Sequence, residues 1–243
     1  NDLNASMQQS VRSTGFGIIF QFINLVWLAA GFELLCMAIH DLYLFYLSYR
    51  QGIEIDVEKW ILPWISPSPI TLQRFGAFIP YRVIVQYQLW RFLTSTLMST
   101  SFVEWILVLW SWKALHGKAR PTRVWCHIYI LSVFTGDLWM MAFDSSGQTG
   151  GGAMWGTCGV ICAVGGAKPG LRFILFMTAI VSVFLSLLAP ANSVMGAISG
   201  SFFGWSFYGL GWLPVVSKND KDAVKPTRLT QAISCFVLIK LWA

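Results

Sequence analysis

Six long apolar runs follow one another along the chain, and this succession limits the folds open to it more than any other feature. They lie within Phe16–Tyr49 and at about Phe92–Leu115, Val124–Phe143, Ala153–Ala167, Leu171–Ala189 and Val194–Leu213. A helix needs about 20 apolar residues to cross a bilayer. Backbone in lipid must satisfy its own hydrogen bonds, so such runs read as helices. Charge is correspondingly scarce: 12% of the 243 residues are charged, against about 25% in an ordinary soluble domain. The expected fold class is therefore all-α, a polytopic membrane protein built as a six-helix bundle over residues 1–213. The fourth run is short, which suits a span sunk among its neighbours or a locally thinned bilayer. Residues 214–243 read as a basic tail. Its apolar stretch Leu229–Trp242 is too short for a span and fits an interfacial or partner-docking helix.

Lysine and arginine set the expected orientation. With the N-terminus on side A, that side receives Arg12, Lys113, Lys118, Arg120, Arg123, Lys168, Arg172, Lys218, Lys221, Lys225 and Arg228. Side B receives Arg50, Lys59, Arg74, Arg82 and Arg91, all around one long loop. Both termini therefore belong on the cytosolic or matrix-equivalent side, which agrees with an even number of spans. The loop on side B, between the first two runs, is roughly forty residues long, far beyond a simple connection. It mixes Trp, Ile and Pro with charge, and aromatic residues beside charges suit the headgroup region. The loop is thus expected to be partly embedded in the membrane.

The five cysteines, Cys36, Cys126, Cys158, Cys162 and Cys235, show no metal-ligand or disulfide spacing and read as small apolar residues. No phosphate loop, haem motif or metal cluster appears, so neither cofactor nor metal is expected. The net charge of +6 lies in the side-A loops and tail. Contact with anionic lipid accounts for it better than nucleic acid does.

Three patches carry a family resemblance. Trp90-Arg91 stands where the long loop gives way to the second run; "GTCG" (Gly156–Gly159) lies in the fourth run and "GAISG" (Gly196–Gly200) in the sixth. In this order and in these spans the chain resembles the rhomboid superfamily of intramembrane proteases, with the derlins as relatives. The resemblance implies six spans, a membrane-embedded first loop, a nucleophilic serine in the fourth span and a histidine base in the sixth. It spans roughly Gly15–Leu213 in architecture.

Carried over residue by residue, the chemistry is absent. The nucleophile position is Cys158 and the base position is Ala197, and no histidine follows His127. The positions of the family's oxyanion-stabilising side chains become Glu104 and Val108. A carboxylate repels a developing oxyanion where the reaction needs hydrogen-bond donors. A cysteine nucleophile needs a neighbouring cation, His or helix N-terminus to form thiolate, and His127 is the histidine that could approach. The resemblance therefore implies a pseudoprotease without catalytic residues.

The glycines then acquire a packing role. Gly196, Gly200 and Gly204 recur every four residues, as do Gly152 and Gly156, with Gly159 extending the small surface. Such spacing lets two helix backbones approach closely. Internal packing of the fourth and sixth spans is the first expectation, and an outward face for a foreign helix is the alternative. Glu33, His40, Asp41, Glu104 and Asp137 are ionisable groups within apolar runs, expensive in lipid unless paired or hydrated. Of these, His40, Asp41 and Glu104 are expected near the side-B ends of their helices.

What the resemblance implies for function is a range of roles. The first expectation is a structural subunit of an organellar membrane complex, bound to other membrane subunits and anionic lipid. With Asn1 rather than Met at the start of a basic chain, a targeting sequence removed or left out, and the mitochondrial inner membrane, are expected. The alternative is a derlin-like factor handling transmembrane clients in the endoplasmic reticulum. A residual one is a protease using Cys158.

Overall fold

In the computed structural model, residues 2–51, 67–118, 123–143, 150–167, 173, 177, 180, 194–211 and 226–242 are described, with side chains from Trp27 onward except at 69, 116–118, 123, 166–167, 194–195 and 241–242. Among them the chain is all-helical. Nine helices are delimited among the described residues: α1 (Asp2–Gln51), α2 (Pro69–Phe75), α3 (Pro80–Gln86), α4 (Arg91–Ser95), α5 (Phe102–Lys118), α6 (Arg123–Phe143), α7 (Gly152–Ala167), α8 (Val194–Gly209) and α9 (Arg228–Trp242). The single sheet-like contact among these residues is one antiparallel bridge, in which Phe78 and Gly150 exchange backbone hydrogen bonds of 3.0 and 2.9 Å.

Two segments, Trp27–Gln51 and Val124–Phe143, are long and apolar enough to cross a membrane. α6, α7 and α8 match the third, fourth and sixth apolar runs in position. The fifth run, Leu171–Ala189, lies outside the described residues except for Phe173, Met177 and Ile180, which are helical. The Leu229–Trp242 stretch forms α9, which packs against α8.

The second run departs from expectation, because it is not one helix from Phe92. It opens with the short α4, breaks at 96–101, and resumes at Phe102. The reason is local capping. The Ser101 hydroxyl accepts the Glu104 N–H at 3.0 Å, and the Glu104 carboxylate reaches back to the Thr100 N–H at 2.7 Å. This is a capping box displaced by one residue, and it starts a helix at Phe102.

The core sits where α6, α7 and α8 meet. α7 is buried at every position from Gly152 to Gly165. The Trp155 indole is its centre. It fills the space left by Gly136 on α6 and Gly196 on α8, where an added Cβ would overlap the ring. Trp27, Trp112, Trp125 and Tyr129 continue the core toward α1 and α5, with ring centroids 6.1–6.4 Å apart in the contacting pairs. A second, smaller cluster of Leu34, Met37, Leu72, Ala77 and Met98 joins α1 to the α2 region.

Candidate functional site

The candidate site is built where the loop ahead of α7, the α4–α5 turn and α8 converge on the first two turns of α7. Ser95, Ser99, Thr100 and Ser101 of the α4–α5 turn are all buried. The Met98 carbonyl accepts the Ala153 N–H at 3.2 Å, one of the amides that the first turn of a helix leaves without an internal partner. Glycine is required here by space. A Cβ at Gly151 would lie 2.6 Å from the Met98 oxygen, and one at Gly152 would lie 2.8 Å from the Ser95 oxygen.

Glu104 is wholly buried at this junction. Its Oε2 takes both Thr100 donors, the amide and the hydroxyl. Oε1 closes no hydrogen bond of ordinary geometry, yet the Met154 N–H in the first turn of α7 acts on the same carboxyl. A carboxylate beside a helix N-terminus is favourably placed against the helix dipole. Through Oε2 the group accepts from the α4–α5 turn. Val108, one turn further along α5, is buried in the apolar core.

Cys158 lies one turn deeper on α7, buried in the same core. Its thiol and that of Cys162 both interact with the Ser201 hydroxyl on α8, which donates to the Ala197 carbonyl at 2.7 Å. Ala197 brings only a methyl group. His127 is exposed on α6, whereas its neighbours Ile128 and Tyr129 face the core, so it is not brought to Cys158.

The remaining glycines have specific neighbours. On α7, Gly152 lies beneath Val133, Gly156 beneath the Tyr129 ring and Gly159 beneath Ser132, all on α6. On α8, Gly200 faces the Trp155 backbone, with the carbonyl oxygen 2.6 Å from a would-be Cβ, and Gly204 faces the Gly159 carbonyl still more closely. Both glycine rows are thus turned inward.

Trp90 and Arg91 stand apart from this centre and organise the long loop. The Arg91 guanidinium is buried and donates to Gln88 Oε1 at 2.7 Å, the Ala77 carbonyl at 2.6 Å and the Gln73 carbonyl at 3.0 Å. Its carbon Cζ sits 4.7 Å from the centroid of the half-exposed Trp90 ring. Burial, with Arg82 adding to it, lowers the Arg91 pKa; three acceptors and an aromatic face still favour the cation. Thr94 donates to the Gly76 carbonyl at 2.7 Å, at the left-handed residue (φ 103°) that ends α2.

Asp137 is buried on α6, where Oδ2 accepts from Ser95 at 3.0 Å and Oδ1 has no hydrogen-bond partner among the described residues. His40 and Asp41, by contrast, both bind α2: Asp41 accepts from the Ser68 amide and hydroxyl at 2.7 Å each and from the Thr71 hydroxyl. Sequence reasoning had no account of this use of His40 and Asp41. The available signal was Ser68-Pro69-Ile70-Thr71, a helix start with proline at its first position. Among the described residues no group of three or more His, Cys, Asp or Glu could hold a metal ion.

Fold and site together define an all-helical protein with a closely packed three-helix core, whose central helix is held at its N-terminus by a buried carboxyl. Comparison of the chain with protein-family models, with curated proteins and with solved structures finds no match.

Proposed function

We propose that this chain is a catalytically inactive, rhomboid-like protein of six membrane spans that serves as a structural subunit of an organellar membrane complex. The observation that carries the inactive reading is Glu104. It puts a hydrogen-bond acceptor beside the first turn of α7, and Ala197 supplies no base across from Cys158. The membrane reading is supported by the two segments long and apolar enough to span. It is also supported by outward apolar side chains such as Phe32, Ile39, Ile106, Ile130 and Phe202, which an aqueous surface would leave uncovered. α5 and α6 supply the second and third spans, α7 and α8 the fourth and sixth, and both termini lie on one side by the lysine and arginine distribution. The mitochondrial inner membrane is the proposed location.

The subunit role is favoured by α9, which docks through Ser234 on Gly209 of α8 while keeping Leu229, Ile233, Phe236 and Ile239 exposed. Purification in mild detergent tests it. A large complex of fixed stoichiometry is expected. Heterogeneous, sub-stoichiometric membrane clients would instead select the derlin-like, client-handling alternative. A monomer that cleaves a transmembrane peptide, and loses this on Cys158→Ala, would overturn the inactive reading.

A further inference from the structure

Two charged residues of opposite sign, Arg74 and Asp41, are joined through His40 and Thr71, and the directions of the hydrogen bonds fix the state of the imidazole. Arg74 Nη1 lies 3.0 Å from His40 Nε2. A guanidinium can only donate, so Nε2 must carry a lone pair. The proton of a neutral imidazole is then on Nδ1, which donates to Thr71 Oγ1 at 2.8 Å. The Thr71 hydroxyl in turn donates to the buried Asp41 carboxylate, which also accepts from Ser68. The contact thus works in one protonation state only.

We propose that His40 is a proton-operated latch between α1 and α2. Neutral, it holds Arg74 and so the last turn of α2 against α1; protonated, it presents an N–H to a cation and releases Arg74. Imidazole is the side chain that changes charge between about pH 5 and 8. The protonated ring keeps its bond to Thr71 and lies near Asp41, so α2 stays capped at its start while its C-terminal turn loosens. Arg74 is exposed and half-buried His40 lies at the rim, so the released side chain has room to leave.

The other groups around His40 do not supply a competing switch. On α2 the Phe75 ring meets it edge-on, centroids 6.0 Å apart. Arg82 of α3 is engaged with Gln73 at 3.2 Å. On α5, which meets α1 around Trp27 and Gly31, Glu104 is turned to Thr100 and α7. Among the described residues, Asp41 and Arg74 are the charged groups that hydrogen bonds tie to this cluster.

Hydrogen exchange of the whole protein in nanodiscs, read by mass spectrometry at pH 7.5 and 5.5, tests the latch. Rates for α2 amides are divided by those of α6 in the same digest, which removes the intrinsic pH dependence. For the wild type this ratio should rise about three- to tenfold at the lower pH, the range expected for the loss of one hydrogen bond of ordinary net strength. His40→Gln, which can accept from Arg74 and donate to Thr71 at any pH, should give a flat ratio. Arg74→Gln should also be flat, because no cation then faces the imidazolium. A wild-type ratio that does not change, or an Arg74→Gln protein that keeps the full rise, overturns the proposal.

Discussion

The seam between α7 and α8 and the junction between α1 and α2 hold the molecule together by opposite means. Along the seam, hydroxyls bond within their own helix: Thr157 to the Ala153 carbonyl, Ser199 to Gly196 and Ser206 to Phe202. Across it Ser201 meets the Cys158 and Cys162 thiols, and the closest approach is made by glycine backbones and one indole. At the junction the polar groups bond between elements, with Asp41 and His40 of α1 binding Ser68, Thr71 and Arg74 of α2. The seam is therefore limited by space and the junction by partners. Added atoms should damage the first, and removed atoms the second.

The sharpest test of that contrast is Gly204→Ala. A Cβ there meets the Gly159 backbone, which cannot swing aside, so the helices must separate. Overpacking costs about 1–3 kcal/mol when side chains can adjust, and a backbone clash belongs at or above the top of that range. Unfolding in mixed detergent micelles should show it, and a wild-type midpoint would break the comparison at the seam. Asp41→Ala removes the acceptor of three hydrogen bonds and should cost about 2–3 kcal/mol, because buried donors lose their partner. Limited proteolysis should then cut near residues 67–76 far sooner than in the wild type.

Gly209→Ala probes a seam that can yield. Its Cβ would meet the Ser234 side chain of α9 first, with the Thr230 carbonyl oxygen farther off at 3.2 Å, so a loss of about 1–2 kcal/mol is expected. Ser234→Gly in the same chain should recover part of that loss in a double-mutant cycle, whereas additive losses would show that the two residues do not pack together. The smallest effect is expected for Glu104→Gln. The amide oxygen still accepts from Thr100, so the cost should be about 1 kcal/mol or less, while Glu104→Leu strands both Thr100 donors and should lose about 2 kcal/mol or more. Equal midpoints for the two variants would mean that the carboxyl is not the cap it is taken to be.

The helices at Arg123–Phe143, Gly152–Ala167 and Val194–Gly209 were legible because each is one uninterrupted apolar run. The start of α5 was obscured because the hydroxyl-rich stretch 94–101 adjoins the apolar run that follows, and hydropathy is insensitive to a capping serine. The "STSFVE" pattern at Ser99–Glu104 carried the break, in the hydroxyl and carboxyl that satisfy free amides. Glu104 could be read as an acceptor at an important position, but not as the cap of its own helix beside the first turn of α7. The two functions depend on segments about fifty residues apart in the chain.

Sequence alone determined the all-helical class and the positions of most long helices, since these follow from local composition. Tertiary structure alone decided which neighbour each glycine serves, where Cys158 is buried, and that His40 and Asp41 of α1 bind Ser68, Thr71 and Arg74. The physical reason is range. Apolar periodicity and capping act within a few residues, whereas backbone approach and polar pairing depend on segments that meet only after the chain has folded.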